Sequence, residues 1–256
     1  MTKKSQNITS KIAPVTALLA VAAVWWFISG RELVPRYMLP SPGEVAAAFV
    51  KNFAIMMKQA AVTLQEAGLG LLLGVIIAFA VAVVMDFVPF LRSALYPILV
   101  ITQTIPTVAI APLLVLWMGF GMAPKVTVVV LTTFFPIAVG LLGGFEAADR
   151  DQIDLVRTMG GKRWRIFRFV KLPAALEPFF SGLRVSVSYA VVGAVVSEWL
   201  GGFNGLGVYM TRVQKAYAYD KMFAVIVFIS VISILLMGAV SLLQRVCMPW
   251  KRAKGA

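Results

Sequence analysis

Residues 149–173 read DRDQIDLVRTMGGKRWRIFRFVKLP. They form a polar interruption in a chain built mostly of apolar runs, and they have internal order. Ile153, Val156 and Met159 recur at helical spacing, and after Gly160-Gly161 so do Trp164, Phe167 and Val170, on another face. This spacing predicts a helix, a glycine turn and a second helix, both short and amphipathic, inside a loop from about Glu146 to Pro178. The five basic residues that follow the glycines, interleaved with aromatic ones, suit two kinds of partner. One is a layer of anionic headgroups. The other is a docked protein, because aromatic and arginine side chains concentrate at interface hot spots. On the residues alone both stay open.

The rest of the chain says where this loop sits. Of the 256 residues 60% are hydrophobic and 14% charged, whereas a soluble domain is nearer half apolar and a quarter charged. Mean hydropathy is +0.88. That excess is too large for one globular core, so lipid is the expected solvent for much of the chain. The net charge of +13 then reads as loop lysine and arginine rather than a nucleic-acid surface, since the apolar runs leave no hydrated face for a duplex. There is no histidine and one cysteine, Cys247. An internal disulfide, a cysteine cluster for zinc and histidine-dependent catalysis are excluded, and no metal site is expected. Cys247 is expected to be a packing residue near a helix end.

Six stretches approach the ~20 apolar residues that a membrane span needs: 12–30, 61–85, 93–118, 124–145, 179–202 and 222–247. The first follows Lys3, Lys4 and Lys11 in the manner of a signal peptide. Its Trp25-Trp26 pair and its lack of a small-residue cleavage site favour an uncleaved helix. With the N-terminus inside, fifteen of the 24 lysines and arginines, Lys251, Arg252 and Lys254 among them, fall on the inner side, eight on the outer, and Arg184 within a span. The bias puts both termini in the cytoplasm. Ser41-Pro42-Gly43-Glu44 is a capping box with proline at the first helical position, which predicts a short outer helix from Glu44 to about Lys58. No repeat or long linker divides the chain, so a single membrane domain over 1–256 is expected.

The loop resembles the conserved loop of permease subunits in ATP-binding-cassette importers. That pattern is Glu-Ala-Ala, three residues, Gly, nine residues, Ile-x-Leu-Pro. Here it is Asp154-Leu155-Val156, three residues, Gly160, nine residues, Val170-Lys171-Leu172-Pro173. The spacing matches throughout, with Asp in place of Glu and larger apolar residues in place of the alanines. Glu146-Ala147-Ala148 is a decoy, fourteen residues from Gly160 rather than six. Leu39-Pro40-Ser41-Pro42, Gln103, Pro106, Ala111-Pro112-Leu113 and Trp117 to Gly121 resemble the nitrate/sulfonate/taurine branch. Ser197 to Gly202 and Gly205-Leu206-Gly207 resemble its subgroup for thiamine pyrimidine precursors.

The resemblance implies an all-α membrane protein of type I importer architecture with about six transmembrane helices. It implies two permease chains forming the pore, a cytosolic ATPase dimer and an external binding protein. Coupling to the ATPase falls to Asp154, Val156, Arg157, Gly160, Arg163, Trp164, Phe167, Leu172 and Pro173. Gly160-Gly161-Lys162-Arg163 lacks the upstream glycine and the Ser/Thr of a Walker A loop, so ATP and magnesium are expected on the separate subunit. A thiamine pyrimidine precursor is the cargo the subgroup points to, with a sulfonate, taurine or nitrate as the alternative.

At ~1.5 Å per helical residue, Gln103, Thr132, Thr133, Ser186, Ser188 and Tyr189 share a layer near the bilayer midplane. With Pro106, which frees a backbone carbonyl, they are candidates for the translocation path. Against this, serine and threonine in such helices commonly bond their own carbonyls or a neighbouring helix. Glu66 and Glu198 are the acidic residues expected inside spans, where ionisable groups are functional by default. Glu198 is therefore added to the path. Two other classes compete. A secondary transporter would need a richer charged layer and leaves the loop without a purpose, and a membrane enzyme would need clustered His, Asp or Glu at one face.

Overall fold

The computed structural model describes the backbone of residues 3–249, and the side chains of Ala13 and of residues 15–249. Lys3, Lys4 and Lys11 as side chains, and Lys251, Arg252 and Lys254, lie outside that set. The described residues form ten α-helices and no strand: α1 (Lys3–Gly30), α2 (Pro42–Phe87), α3 (Pro89–Thr102), α4 (Thr107–Met118), α5 (Met122–Glu146), α6 (Arg150–Thr158), α7 (Arg163–Ile166), α8 (Leu172–Gly201), α9 (Leu206–Lys215) and α10 (Tyr219–Cys247).

Four stretches are long and apolar enough to cross a bilayer: α2, α5, the continuous run Arg163–Gly201, and α10. The α3–α4 pair makes a fifth as one broken span, and Val15–Gly30 of α1 is a shorter apolar helix.

Three boundaries differ from the sequence expectation. The capping box forms, with the Ser41 amide donating to Glu44 Oε2 at 2.8 Å and the Glu44 amide to Ser41 Oγ at 3.3 Å. The helix it starts does not stop near Lys58, however, but runs 46 residues to Phe87. Met56 to Ala61 holds neither glycine nor proline, so nothing there ends a helix. It ends where Val88 meets Pro89, which disfavours helical backbone at the preceding residue. The stretch expected as one span over 93–118 is two helices bent by 98°. Pro106, extended at φ −62° and ψ 115°, caps α4 at the break.

The third difference lies in the polar loop. Its second amphipathic segment is not a separate helix. α7 passes through a π-helical turn, Phe167–Lys171, into α8 without interruption. Pro173 removes the amide that would bond the Phe169 carbonyl, and the Leu172 amide bonds Phe167 O instead.

Two compact units share the chain. The first comprises residues 1–57 and 209–228. In it Trp25 Nε1 donates to Pro40 O at 3.0 Å, Trp25 stacks on Phe223, and Phe49, Phe53 and Phe228 pack edge to face or tilted. The second comprises residues 58–208 and 229–256. Its core joins Ala78, Met85, Ile137, Leu141, Phe180 and Leu183, all buried. α5 lies along α8 at very short range. A β-carbon on Gly144 would meet the Ala175 backbone, and one on Gly182 the Pro136 carbonyl. Such contact between small residues lets helix backbones approach where lipid provides no hydrophobic drive. Cys247 is exposed rather than packed. It is the last residue of α10, and it is the next residue, Met248, that is buried in the core.

Candidate functional site: the 149–173 segment and the broken span

Asp149 starts α6, its carboxylate accepting from the Asp151 amide at 2.9 Å. Gly160 ends it at φ +78°. The Gly161 amide bonds Val156 O at 2.8 Å and the Gly160 amide bonds Arg157 O at 2.9 Å, the double closure of a Schellman turn. A positive φ of this kind favours glycine. Gly161 leaves no room for a β-carbon beside Val156. The turn therefore depends on both glycines.

Beyond it, Phe167 is buried among Phe87, Phe145 and Trp164, with ring centroids 5.3 to 5.7 Å apart. Arg163 donates to the Asp86 carbonyl at 3.0 Å and lies over the Phe87 ring. Lys171 Nζ pairs with Asp86 Oδ1 at 2.6 Å. The segment is thus bolted to the C-terminal end of α2, where a helix presents free carbonyls and partial negative charge. The sequence alone had not singled out Asp86, Phe87, Phe145 or Lys171. Only the fold brings residues some eighty positions apart together.

Of the nine coupling candidates, Asp154, Arg157, Gly160, Arg163, Trp164 and Pro173 are exposed, Val156 and Leu172 are half-buried, and Phe167 is core. Asp154 and Arg157 pair with each other at 2.9 Å on the surface of α6. Beside them Leu155 and Met159 are 60% and 75% exposed, two apolar knobs on a polar helix.

The break between α3 and α4 opens a cavity of about 540 Å³ whose lining includes Gln103, Pro106, Thr132 and Tyr189. Four of the path candidates are therefore brought together. The others stand elsewhere. Thr133 is fully buried, its hydroxyl donating to Val129 O at 2.8 Å. Ser186 is fully buried and donates to Thr133 O at 2.9 Å, tying α8 to α5. Ser188 is half-buried and outside the cavity lining.

Glu198 belongs to a buried polar cluster. Its Oε1 accepts from Thr63 Oγ1 at 2.6 Å and its Oε2 from the Gly207 amide at 2.5 Å. The Leu206 amide bonds Thr63 Oγ1 and the Gly205 amide bonds Gln59 Oε1. Alongside, Lys125 Nζ pairs with Glu66 Oε1 at 2.6 Å, both side chains under a tenth exposed. These bonds clamp the α8–α9 connection onto α2. Arg184, the basic residue expected within a span, donates to Ser181 Oγ.

The two charged clusters bracket an uncharged stretch of helix. Along α2, Glu66 and Asp86 are twenty residues apart with no charge between them, about 30 Å. Lys125 and Glu146 bracket α5 in the same way. That distance is the thickness of a bilayer's hydrocarbon core, ~30 Å.

A bundle of long apolar helices with charged collars at that spacing, a broken span beside a cavity and an exposed helix–glycine turn at one collar is a multi-pass membrane transport subunit. The chain belongs to the family of binding-protein-dependent transport system inner membrane components, whose model matches residues 70–247. It is 34% identical over 238 residues to the formylaminopyrimidine transport permease protein ThiX of Halalkalibacterium halodurans, covering 93% of this chain and 95% of that one. It is 28% identical to the taurine transport system permease protein TauC of Escherichia coli, covering 96% and 91%. A crystal structure of an amino acid ABC transporter with histidines superposes with a TM-score of 0.60 at 18% identity, over 77% of this chain and 94% of that chain. That likeness is one of fold alone. The protein is a permease subunit of an ABC transporter in the cytoplasmic membrane, in the branch expected from its motifs.

Proposed function

We propose that this chain, acting as a single permease domain paired with a second copy of itself, imports a thiamine pyrimidine precursor. An external binding protein delivers the cargo, and a separate ATPase dimer that binds ATP and magnesium drives the cycle. The observation that carries the coupling half is the 149–173 segment. α6 presents Leu155 and Met159 to the outside, while Arg163, Phe167 and Lys171 hold its base to α2 and the core. A push on α6 then passes through the glycine turn to α7, which runs into α8 as one helix.

The same reading places the segment and both termini in the cytoplasm, as the lysine and arginine bias favours. The cavity at the α3–α4 break, with Gln103, Thr132 and Tyr189 at its wall, is the stretch of path this chain contributes. The cargo follows the likeness to the formylaminopyrimidine permease, with taurine or a sulfonate as the alternative.

The test is reconstitution in liposomes with the ATPase and binding protein encoded beside it. ATP hydrolysis is measured with a formylaminopyrimidine, taurine, an alkanesulfonate and nitrate. The expected result is stimulation by the pyrimidine, lost in Gly160→Arg, which strains the φ +78° turn without filling occupied space. Failure to associate with any ATPase overturns the reading. Stimulation by another cargo overturns only its substrate half.

A further inference from the structure

The 162–171 turns have two faces, and only one of them is used by the fold. Ile166, Phe167 and Val170 are buried, and Arg163 and Lys171 are committed to Asp86. On the opposite side Lys162, Arg165, Arg168 and Phe169 are all exposed, Phe169 at 67%, and at the border between the faces Trp164 stacks on Phe167 while staying 59% exposed. Among the described residues none of Lys162, Arg165 and Arg168 makes an ion pair. Arg168 lies over the Phe169 ring at 6.0 Å.

The height of this face above the membrane is set by its anchors. Asp86 marks one edge of the charge-free stretch of α2, and two residues of the turn, Arg163 and Lys171, touch it directly. The turn is therefore pinned within a side chain's reach of the hydrocarbon boundary. The headgroup layer on each side is roughly 5–8 Å thick. Trp164 and Phe169 stand where amphipathic and aromatic rings favour the interface, and three unpaired cations stand among them.

We infer that the outer face of residues 162–169 is a binding surface for anionic phospholipid headgroups, with Lys162, Arg165 and Arg168 on the phosphates and Trp164 and Phe169 in the interfacial layer. The polar segment then serves two partners with two different parts. α6 is left for a protein, and the α7–α8 junction rests on lipid. The inference goes beyond the proposed transport function, and its test needs no cargo.

The test uses the full chain in nanodiscs, carrying an environment-sensitive fluorophore at Phe169→Cys in a Cys247→Ser background. Discs are made of phosphatidylcholine alone or with added phosphatidylglycerol. The expected result is a blue shift and a gain in intensity on adding phosphatidylglycerol. Both should be lost in Arg165→Gln/Arg168→Gln, and reduced in about 0.5 M salt, where charges more than a few ångströms apart are screened. No response to phosphatidylglycerol, or a response that the double substitution leaves intact, overturns the inference. So does a probe that responds only when the ATPase subunit is added to neutral discs, which would make this face a protein contact. Circular dichroism of the substituted chain checks that the exposed changes leave the fold in place.

Discussion

Gly205 shows how much one residue can hold. Its φ is +124°, and a β-carbon there would fall on the Glu198 carboxylate. Gly205→Ala is expected to cost about 1–3 kcal/mol through strain and overpacking. A lower thermal midpoint in detergent would show this, while Gly43→Ala, where a β-carbon meets nothing, should leave the midpoint unchanged. Lys125 makes a second case. Removing one partner of a buried ion pair leaves a buried charge, at a cost of about 3–5 kcal/mol. Lys125→Met alone should therefore lower the midpoint more than Lys125→Met combined with Glu66→Gln, and equal losses would mean that the pair is hydrated. Glu44 differs from these, since it lies in water at the start of α2. The Ser41 amide, then its hydroxyl, and the Arg36 guanidinium hold its carboxyl below the usual range.

At the scale of elements, α5 and α8 meet backbone to backbone in the second unit. Gly182→Val would drive a branched side chain into the Pro136 carbonyl, which belongs to backbone and cannot rotate away. Loss of the folded, monodisperse chain on size exclusion is expected. Gly238→Ala on α10, where nothing lies within 4 Å, should be silent. The π-helical turn belongs to the same scale. It absorbs Pro173 without breaking the helix, so movement of α7 reaches the membrane part of α8.

For the molecule in its membrane, the two charged collars of the second unit mark an uncharged layer, and the lysine and arginine bias favours the cytoplasm for the side that carries α6. A cysteine introduced at Met159 in a Cys247→Ser background should react with a membrane-impermeant maleimide in inverted vesicles and not in intact spheroplasts. The reverse pattern would put α6 outside the cell and remove the ATPase from the proposed mechanism.

Much of this protein was determined by local chemistry. The capping box follows from Ser41 and Glu44, and the α6 turn from Gly160-Gly161; each depends only on neighbours in the chain, and each forms as read. Family spacing located the 149–173 segment for the same reason. Apolar runs located the spans only in part: four of the six stretches lie in helices long enough to cross, 93–118 is broken, and Val15–Gly30 is shorter. What only tertiary structure decided lies between distant residues. That Thr133 and Ser186 bond helix to helix while Gln103, Thr132 and Tyr189 share a cavity depends on how α5 and α8 rotate against each other. The 98° break between α3 and α4 is of this kind too. Proline permits a kink, but its angle is set by what the two halves pack against. Glu198 is held by Thr63 and the Gly207 amide, and Asp86 holds Arg163 and Lys171. Hydrogen bonds of that range leave no periodicity in a sequence, because the two partners are brought together only by packing of the intervening chain.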